Sequence, residues 1–359
     1  MKKLDPKKVF FLNHCLPRES GSFAEKWHDT AGNSGNTYIM HCISKMLFNR
    51  TLKHEEVDGV ANFFDSTLPE KDADRINAEY EYVLINMQDQ LRPEISYYAN
   101  TDARFKRINS FLAKINIPIL CFGVGTNFIN PEAPPLAKQL HQSQIDFIKI
   151  LSDKSPGFSV RGEVTAALMS ELDIPNYSLT GCPTFLLNPK NIEKPKEIKK
   201  IVFNGDVVAA LGGGGVVKAL NEKGVEVYFS CQDEREMVEL AESLRIPTSF
   251  GGNPKIQGMN VVYLTDFDEI NEFYKGIDFT IGNRIHGCVM SLNAGTPAVS
   301  CNTDLRAKEM CRLWQMPRPN TTFVNLQDSF TQWQSHDMQI AWASLKIKHD
   351  EFLEKILPG

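Results

Sequence analysis

No stretch of this sequence is apolar for long enough to cross a bilayer, which takes about 20 consecutive residues. The N-terminal MKKLDPKKVFFLNHCLP has basic residues but only the brief run VFFL, so it reads as a first strand, neither a signal peptide nor an anchor. An excess of positive charge is missing too: 39 Lys and Arg face 44 Asp and Glu, a net charge of -5. That balance argues against general nucleic-acid binding, which needs a basic face, and any anion has to be bound locally. The eight cysteines form no CxxC pair, and several lie inside apolar runs such as ILCFG. Such cysteines read as reduced core residues of a cytosolic protein. The patterns HExxH and GxSxG are absent, so neither a bound transition metal nor a serine nucleophile is indicated. Neither short-period repeats nor low-complexity tracts occur.

What is present is an ordinary globular balance, 42% hydrophobic and 23% charged, over 359 residues. That length exceeds what one core organises and predicts two domains. Short strand-like runs alternate with helical patterns, the mark of parallel sheets built from βα units. In the first half the strands are KVFFLNH (8–14), EYVLIN, IPILCFG (117–123), FSV (158–160) and YSLTG (177–181). TYIMHCISKMLF, DARFKRINSFLAKI, LHQSQIDFIKILSD and GEVTAALMSEL supply the helices around them. LLNPKNIEKPKEIKK (186–200), rich in lysine with two prolines, reads as a linker. The alternation then restarts with KIVFNG (200–205), VEVYFSC (225–231), NVVYL (260–264), DFTIG (278–282), TPAVSC (296–301) and TFVNL (322–326). The expected plan is a Rossmann-like domain over 1–188, a linker over 189–199 and a second Rossmann-like domain over 200–330. Residues 331–359 hold a last amphipathic helix, expected to cross back onto the first domain. Two doubly wound sheets in tandem place a cleft between them, facing the carboxyl ends of the strands.

Three strand-to-helix turns carry candidate chemistry. In AGNSGNTYIM (31–40) two glycines and two asparagines precede an apolar helix, and the backbone N–H groups of such a turn can converge on an anion. Asn33 and Asn36 can equally cap the helix while Gly32 and Gly35 permit the turn. In FSVRGEVTAAL (158–168) Arg161 follows a short strand and opens a helix, placed to grip a carboxylate or phosphate, or else paired with Glu163 or Glu171 at the surface. In TIGNRIHGCVM (280–290) Asn283 releases the strand, Arg284 and His286 flank Ile285, and Gly287 admits close backbone approach. Two cations in the first turn sit where the helix dipole is already positive, which asks for an anion beside them. LGGGGVVKAL (211–220) lacks the spacing of a phosphate-binding loop and reads as a flexible loop near the cleft, and GVGTN (123–127) is too short for a dinucleotide fingerprint.

Taken in order, GNSGN, SVRGEVTAALMSELDIPNYSLTGCPTFLLNP and GNRIHGCVMSLNAGTPAVSCNTDLRAKEMCRLWQMP resemble the polysaccharide pyruvyl transferase family over most of the chain. The most specific parts are the strand-SxR-helix element, TGCPT, and RIHG with its downstream GTPAV and DxRxxE pieces. The resemblance implies a GT-B-like pair of Rossmann-like domains with parallel sheets facing across a cleft. It implies an enzyme that moves the enolpyruvyl carbons of phosphoenolpyruvate onto a sugar of a glycan precursor, forming a pyruvate ketal and releasing phosphate. The family's RxH arginine and histidine fall on Arg284 and His286, and its arginine after the serine-containing strand falls on Arg161. Many members carry Asp where this chain has Asn36, a departure that bears on any general-base role there and leaves binding untouched.

Phosphoenolpyruvate needs dense positive charge in a small volume, which Arg161, Arg284 and a helix N-terminus supply. Protonation of its methylene carbon needs an acid, and His286 is the candidate. The expected substrate-binding set is completed by Asn33, Gly35, Asn36, Asn283, Gly287, Asp304 and Arg306. Asp304 either orients Arg284 or His286 or caps the helix that follows, and Arg306 is either a further anion ligand or the partner of Glu309. No cofactor or metal is expected beyond phosphoenolpyruvate as donor. The acceptor is expected to be a glycan or lipid-linked saccharide, with no nucleic acid, in the cytoplasm and in transient contact with the inner membrane face. The alternatives are a nucleotide-sugar glycosyltransferase of the same gross fold, or a non-catalytic glycan- or phosphate-binding protein.

Overall fold

The computed structural model describes residues 3–63, 72–87, 90–93, 100–128, 131–132, 135–186, 192, 195–205, 214–232, 255–256, 258–301, 304–318, 333 and 339–357. The first sheet contains β1 (Val9–Leu12), β2 (Asp58–Val60), β3 (Tyr82–Asn86), β4 (Ile119–Val124), β5 (Phe158–Val160) and β6 (Tyr177–Leu179). They lie in the order β2-β1-β3-β4-β5-β6, every pair parallel. The second sheet contains β7 (Lys200–Asn204), β8 (Glu226–Ser230), β9 (Lys255–Ile256), β10 (Met259–Val262), β11 (Phe279–Gly282) and β12 (Ala298–Ser300). Its order is β12-β11-β7-β8-β10-β9, parallel except for the short β9, which runs antiparallel to β10. Parallel sheets are covered on both faces, so their strands read as unbroken apolar runs. VFFL in β1 and ILCFGV in β4 are buried at every position.

The helices of the first half are α1 (Phe23–Asp29), α2 (Ser34–Phe48), α3 (Asp72–Glu79), α4 (Thr101–Ala113), α5 (Gln142–Lys154) and α6 (Glu163–Glu171). Those of the second are α7 (Gly214–Glu222), α8 (Phe267–Lys275), α9 (Ile285–Ala294) and α10 (Leu305–Trp314), followed by α11 (Gln339–Ile356). Side-chain caps start several of them by satisfying N–H groups that have no partner within the helix. Asn33 accepts from the Gly35 amide at 2.8 Å, Asp266 from Asp268 and Glu269 at 2.9 and 3.0 Å, and Asp304 from Ala307 at 2.7 Å. The result is two Rossmann-like sheets in the GT-B-like arrangement.

Strand order reverses between β1 and β3 in the first sheet and between β7 and β11 in the second. Such switch points open crevices at the carboxyl ends of the strands, where α/β folds hold their ligands. The halves meet across a continuous apolar core that includes Ile39, Ile43, Phe122, Phe203, Trp314 and Phe352. Tyr38 stacks on Phe267 with ring centroids 5.4 Å apart, and the Asn293 amide donates to Tyr38 Oη at 3.1 Å and to the Thr184 carbonyl at 2.8 Å. Helix α11 returns to the first half, where Phe352 meets Phe122 edge-on at 5.6 Å. The Trp314 indole of α10 stacks on Phe185, which lies in the turn Pro183–Leu186.

Three elements were not legible in the pattern. β2 is a partly exposed DGV edge strand, and α1 and α3 are short helices with few buried residues. From Gly214 onward, the segment expected to be a loop is helix α7, because GGVVKALNE puts its two glycines in the first turn and good helix formers after them. TFVNL (322–326) and residues 206–213 lie outside the described residues.

Burial leaves three histidines neutral: desolvation pushes His14 down to about 3, His41 to about 4 and His349 to about 3, from 6.5. Histidines of the unfolded chain protonate near pH 6.5 while these do not, so the unfolded state gains protons first and stability falls as pH drops below 6.5. Each contributes a slope of about 1.4 kcal/mol per pH unit across that window. His349→Leu should therefore make the pH dependence of urea-unfolding stability shallower by about that amount per pH unit between about pH 6.5 and 4.5, and leave it unchanged above about pH 7.5.

Candidate functional site

The turn from β11 to α9 is built on Asn204 at the end of β7. The Asn283 amide donates to the Asn204 carbonyl at 3.1 Å and the Arg284 amide to the Asn204 side-chain oxygen at 3.0 Å. Arg284 is thereby fixed as the N-cap of α9, half-buried, at the positive end of the helix. His286, two residues on, is buried between the halves. A Cβ on Gly35 would stand 2.7 Å from His286 Nδ1 and 2.9 Å from its Cβ, so only glycine lets the start of α2 reach the imidazole. On the other ring edge His286 Nε2 faces Cys182 Sγ at 3.8 Å. Gly287 serves the opposite side: a Cβ there would meet Gln232 Nε2 at 2.4 Å and Asn204 Nδ2 at 2.6 Å. The Gln232 carbonyl in turn accepts from the Ser34 amide at 3.0 Å, which ties the start of α2 to the end of β8.

Arg161 is the least expected environment in the molecule. Its residue is 2% exposed, and none of Nε, Nη1 and Nη2 has a hydrogen-bond partner among the described residues. The two carboxylates offered by the sequence are engaged elsewhere: Glu163 pairs with Arg312 at 2.7 Å, and Glu171 accepts from the Leu136 and Ala137 amides at 2.7 and 3.0 Å. The backbone holds Arg161 in place, its amide donating to the Val124 carbonyl at 2.9 Å. A Cβ on Gly123 would be 3.4 Å from Arg161 Nε and 3.0 Å from Pro183 Cδ, so the guanidinium lies against the turn that contains Pro183. Cys182, the next residue, is the one that meets His286. Thr180 and Gly181 both donate to the Val160 carbonyl, at 3.3 and 3.2 Å, binding this turn to the strand that delivers Arg161. Arg161 and His286 thus flank one turn, the first from the first half and the second from the other half.

The remaining expected residues divide. Asn33 and Asn36 hold the glycine turn itself, Asn33 capping α2 and Asn36 Nδ2 donating to the Thr30 and Ala31 carbonyls at 3.2 and 3.5 Å. An Asp at position 36 would have no N–H for those two bonds. Asp304 caps α10 and faces Arg306 Nη2 at 3.2 Å. Glu309 does not answer Arg306: its buried carboxyl packs on Gly162 and accepts from the Val164 amide at the start of α6. Burial pushes that carboxyl up to about 7, against the pull of the Val164 amide.

Sequence reasoning missed Asn13, Asn86 and Asn204. The signal was nonetheless there: FFLN, VLIN, IVFN and TIGN each end an apolar run in asparagine, and these are the four strands flanking the two switch points. Asn13 Nδ2 donates to the Asn86 carbonyl at 2.7 Å and Asn86 Nδ2 to the Asn36 carbonyl at 3.4 Å. The side-chain oxygens of Asn13 and Asn86 are buried without a hydrogen-bond partner among the described residues. Among the described residues no group of three or more His, Cys, Asp or Glu could hold a metal ion.

The close approach at Gly35 is testable. Gly35→Ala forces a methyl group onto His286 and the Asn33 cap, and overpacking of that kind costs about 1–3 kcal/mol. Gly215→Ala, with nothing within 4 Å of its added methyl, should instead stabilise by about 0.5–1 kcal/mol through helix propensity. Denaturant midpoints of the two variants should therefore move in opposite directions.

Likeness to known proteins is confined to the fold and the family. A UDP-N-acetylglucosamine 2-epimerase from Rickettsia bellii aligns with 89% of this chain and 92% of its own, at 10% identity and a TM-score of 0.48. The glycosyltransferase SnogD from Streptomyces nogalater aligns with 93% of this chain and 81% of its own, at 10% identity and a TM-score of 0.37. A UDP-GlcNAc 2-epimerase from Neisseria meningitidis, bound to UDP-GlcNAc, aligns with 89% of this chain and 83% of its own, at 11% identity and a TM-score of 0.43. Matches this remote place no substrate on this chain. No curated protein matches it in sequence. The sequence profile described as polysaccharide pyruvyl transferase does match, over residues 33–304, a span that takes in the glycine turn, Arg161, the turn at Cys182, the RIHG segment and Asp304. The chain belongs to the polysaccharide pyruvyl transferase family.

Proposed function

We propose that this protein transfers the enolpyruvyl carbons of phosphoenolpyruvate to a sugar of a glycan precursor, forming a pyruvate ketal and releasing phosphate. The observation that carries the reading is Arg161: a guanidinium 2% exposed, with no hydrogen-bond partner on any nitrogen among the described residues, calls for an anion as its counterpart. Phosphoenolpyruvate offers two, a phosphate and a carboxylate on a three-carbon frame. Arg161 takes one of them in a bidentate grip, and Arg284 with the first amides of α9 takes the other. Family membership supports the transferase class.

His286 then acts as the acid. Held between Gly35 and Cys182, its ring has little freedom, and anions gathered beside it favour the imidazolium. It delivers a proton to the methylene carbon, whose π electrons form the new C–H bond and leave C2 electron-poor. A sugar hydroxyl adds to C2 and loses its proton. Departure of phosphate with the C–O electron pair restores an electron-poor C2, which a second hydroxyl of the same sugar attacks to close the ketal. The two hydroxyl protons balance the one gained by the methyl group and the one carried off on phosphate. The positive ends of α2, α6 and α9 favour the negative charge that builds on the departing phosphate. The reaction calls for neither metal nor organic cofactor, since the donor arrives already activated. A lipid-linked acceptor would bring the protein to the inner membrane face; no helix among the described residues is long and apolar enough to cross it.

Thermal-shift binding tests the donor. Phosphoenolpyruvate at about 100 times its Kd should stabilise the protein by about 2.7 kcal/mol and raise Tm by roughly 3–4 °C. Arg161→Ala should abolish the shift, and Arg161→Lys should lose most of it, because an ammonium cannot reproduce the fork. A shift with uridine diphosphate and none with phosphoenolpyruvate would replace this reading with a nucleotide-sugar transferase.

A further inference from the structure

A separate pocket of about 460 Å³ lies beside the Arg161 turn, at the carboxyl ends of the strands, and both halves line it. Its charged side chains are Arg92 and Glu132 from the first half and Asp304, Lys308, Glu309 and Arg312 from the second. Among the described residues three cations and three carboxyl groups leave no net formal charge, unlike the cationic donor site proposed at Arg161, Arg284 and His286. A small dianion has no reason to prefer such a lining. A ligand rich in hydroxyls does, because each hydroxyl both donates and accepts and can be met by either kind of side chain. Asn127 adds an amide with both capacities, and Phe128 adds an apolar surface. The volume falls in the range of about 300–1,000 Å³ typical of small-molecule sites.

The pocket is held to the donor cluster by a rigid link. The Glu309 carboxyl, one of its walls, packs on Gly162, the residue after Arg161, and accepts from the Val164 amide. We propose that this pocket is the subsite for the acceptor saccharide, a neutral sugar whose hydroxyls are read by Asn127, Asp304 and Glu309 next to the donor held at Arg161. The assignment of the bound sugar as acceptor rests on the proposed transferase reaction. That the pocket binds a saccharide stands on its lining alone.

Saturation-transfer NMR on the full chain, with the methyl glycosides of galactose, glucose, mannose and N-acetylglucosamine at about 10 mM, tests it at the affinities expected for single sugars. The wild type should transfer magnetisation to at least one glycoside. Asn127→Trp and Lys308→Trp, each filling the pocket with an indole, should cut that transfer by about fivefold or more. Lys308 is exposed on α10, so its variant decides the matter should Asn127→Trp not fold. No transfer to any of the four sugars in the wild type, or undiminished transfer in Lys308→Trp, overturns the assignment. Arg161→Ala should lose the phosphoenolpyruvate thermal shift and keep the glycoside signal. A wild type that binds glycosides in this pocket but not phosphoenolpyruvate keeps the saccharide subsite and loses the donor reading, so the two failures are told apart.

Discussion

A charge taken out of water without a partner is the most expensive thing a fold can carry, at several kcal/mol even after the surroundings relax. Arg161 is such a charge, and much of the architecture around it makes sense as support for holding it there. Its backbone is pinned to Val124, the turn at Thr180 and Gly181 is pinned to Val160 just before it, and Glu309 crosses from the second half to cap the helix just after it. Among the described residues nothing neutralises the guanidinium. The scaffold positions it. A chain selected for stability alone would have answered the charge with Glu163 or Glu171, both of which lie nearby in sequence and both of which are spent on other partners.

The second organising fact is that each sheet contributes its switch point to the same region. Asn13 and Asn86 end the strands flanking one, Asn204 and Asn283 end those flanking the other, and the amide groups of these residues brace the turns that follow. Helices α2, α6 and α9 all begin near these turns, and their first amides are met by Gln232, Asn33 and Glu309 as well as by their own N-caps. Two helix starts from different halves come within reach of each other only because Gly35 lacks a side chain, while Gly287 admits Gln232 and Asn204 of its own half. The pocket bounded by Glu309 adjoins the start of α6, where Val164 is one of its walls.

The architecture was legible because parallel strands advertise themselves: VFFL, ILCFG and IVFN are apolar from end to end and are separated by helical periods. Two sheets, their order of appearance and the RIHG turn follow from that pattern. DGV at 58–60 was not legible, because a three-residue edge strand with an aspartate and a glycine has no hydrophobic signature. LGGGGVVKAL misled for the opposite reason: four glycines suggest a loop, while the residues after them set the helix. The decisive features of the site are contacts between residues far apart in the chain. His286 meets Cys182 across 104 positions, and Glu309 meets Val164 across 145. Local spacing offered Glu309 as one of two roles for Arg306, three residues away, and only folding shows the carboxyl turned toward the other half. Likewise the sequence could name Arg161 but could not reveal that its neighbours leave it unanswered.

The return of α11 to the first half has a mechanical corollary. The polypeptide passes from one sheet to the other between Leu186 and Lys200 and comes back between Trp314 and Gln339, so the halves are joined by two tethers instead of one. Two crossings wind the chain into one body, since α11 packs on Phe122 of the first half and the apolar core runs on through both. The Trp314, Phe185 and Trp342 rings cluster on the side where α11 docks. Arg161, Arg284 and His286 are thus carried by halves that share one packed interior.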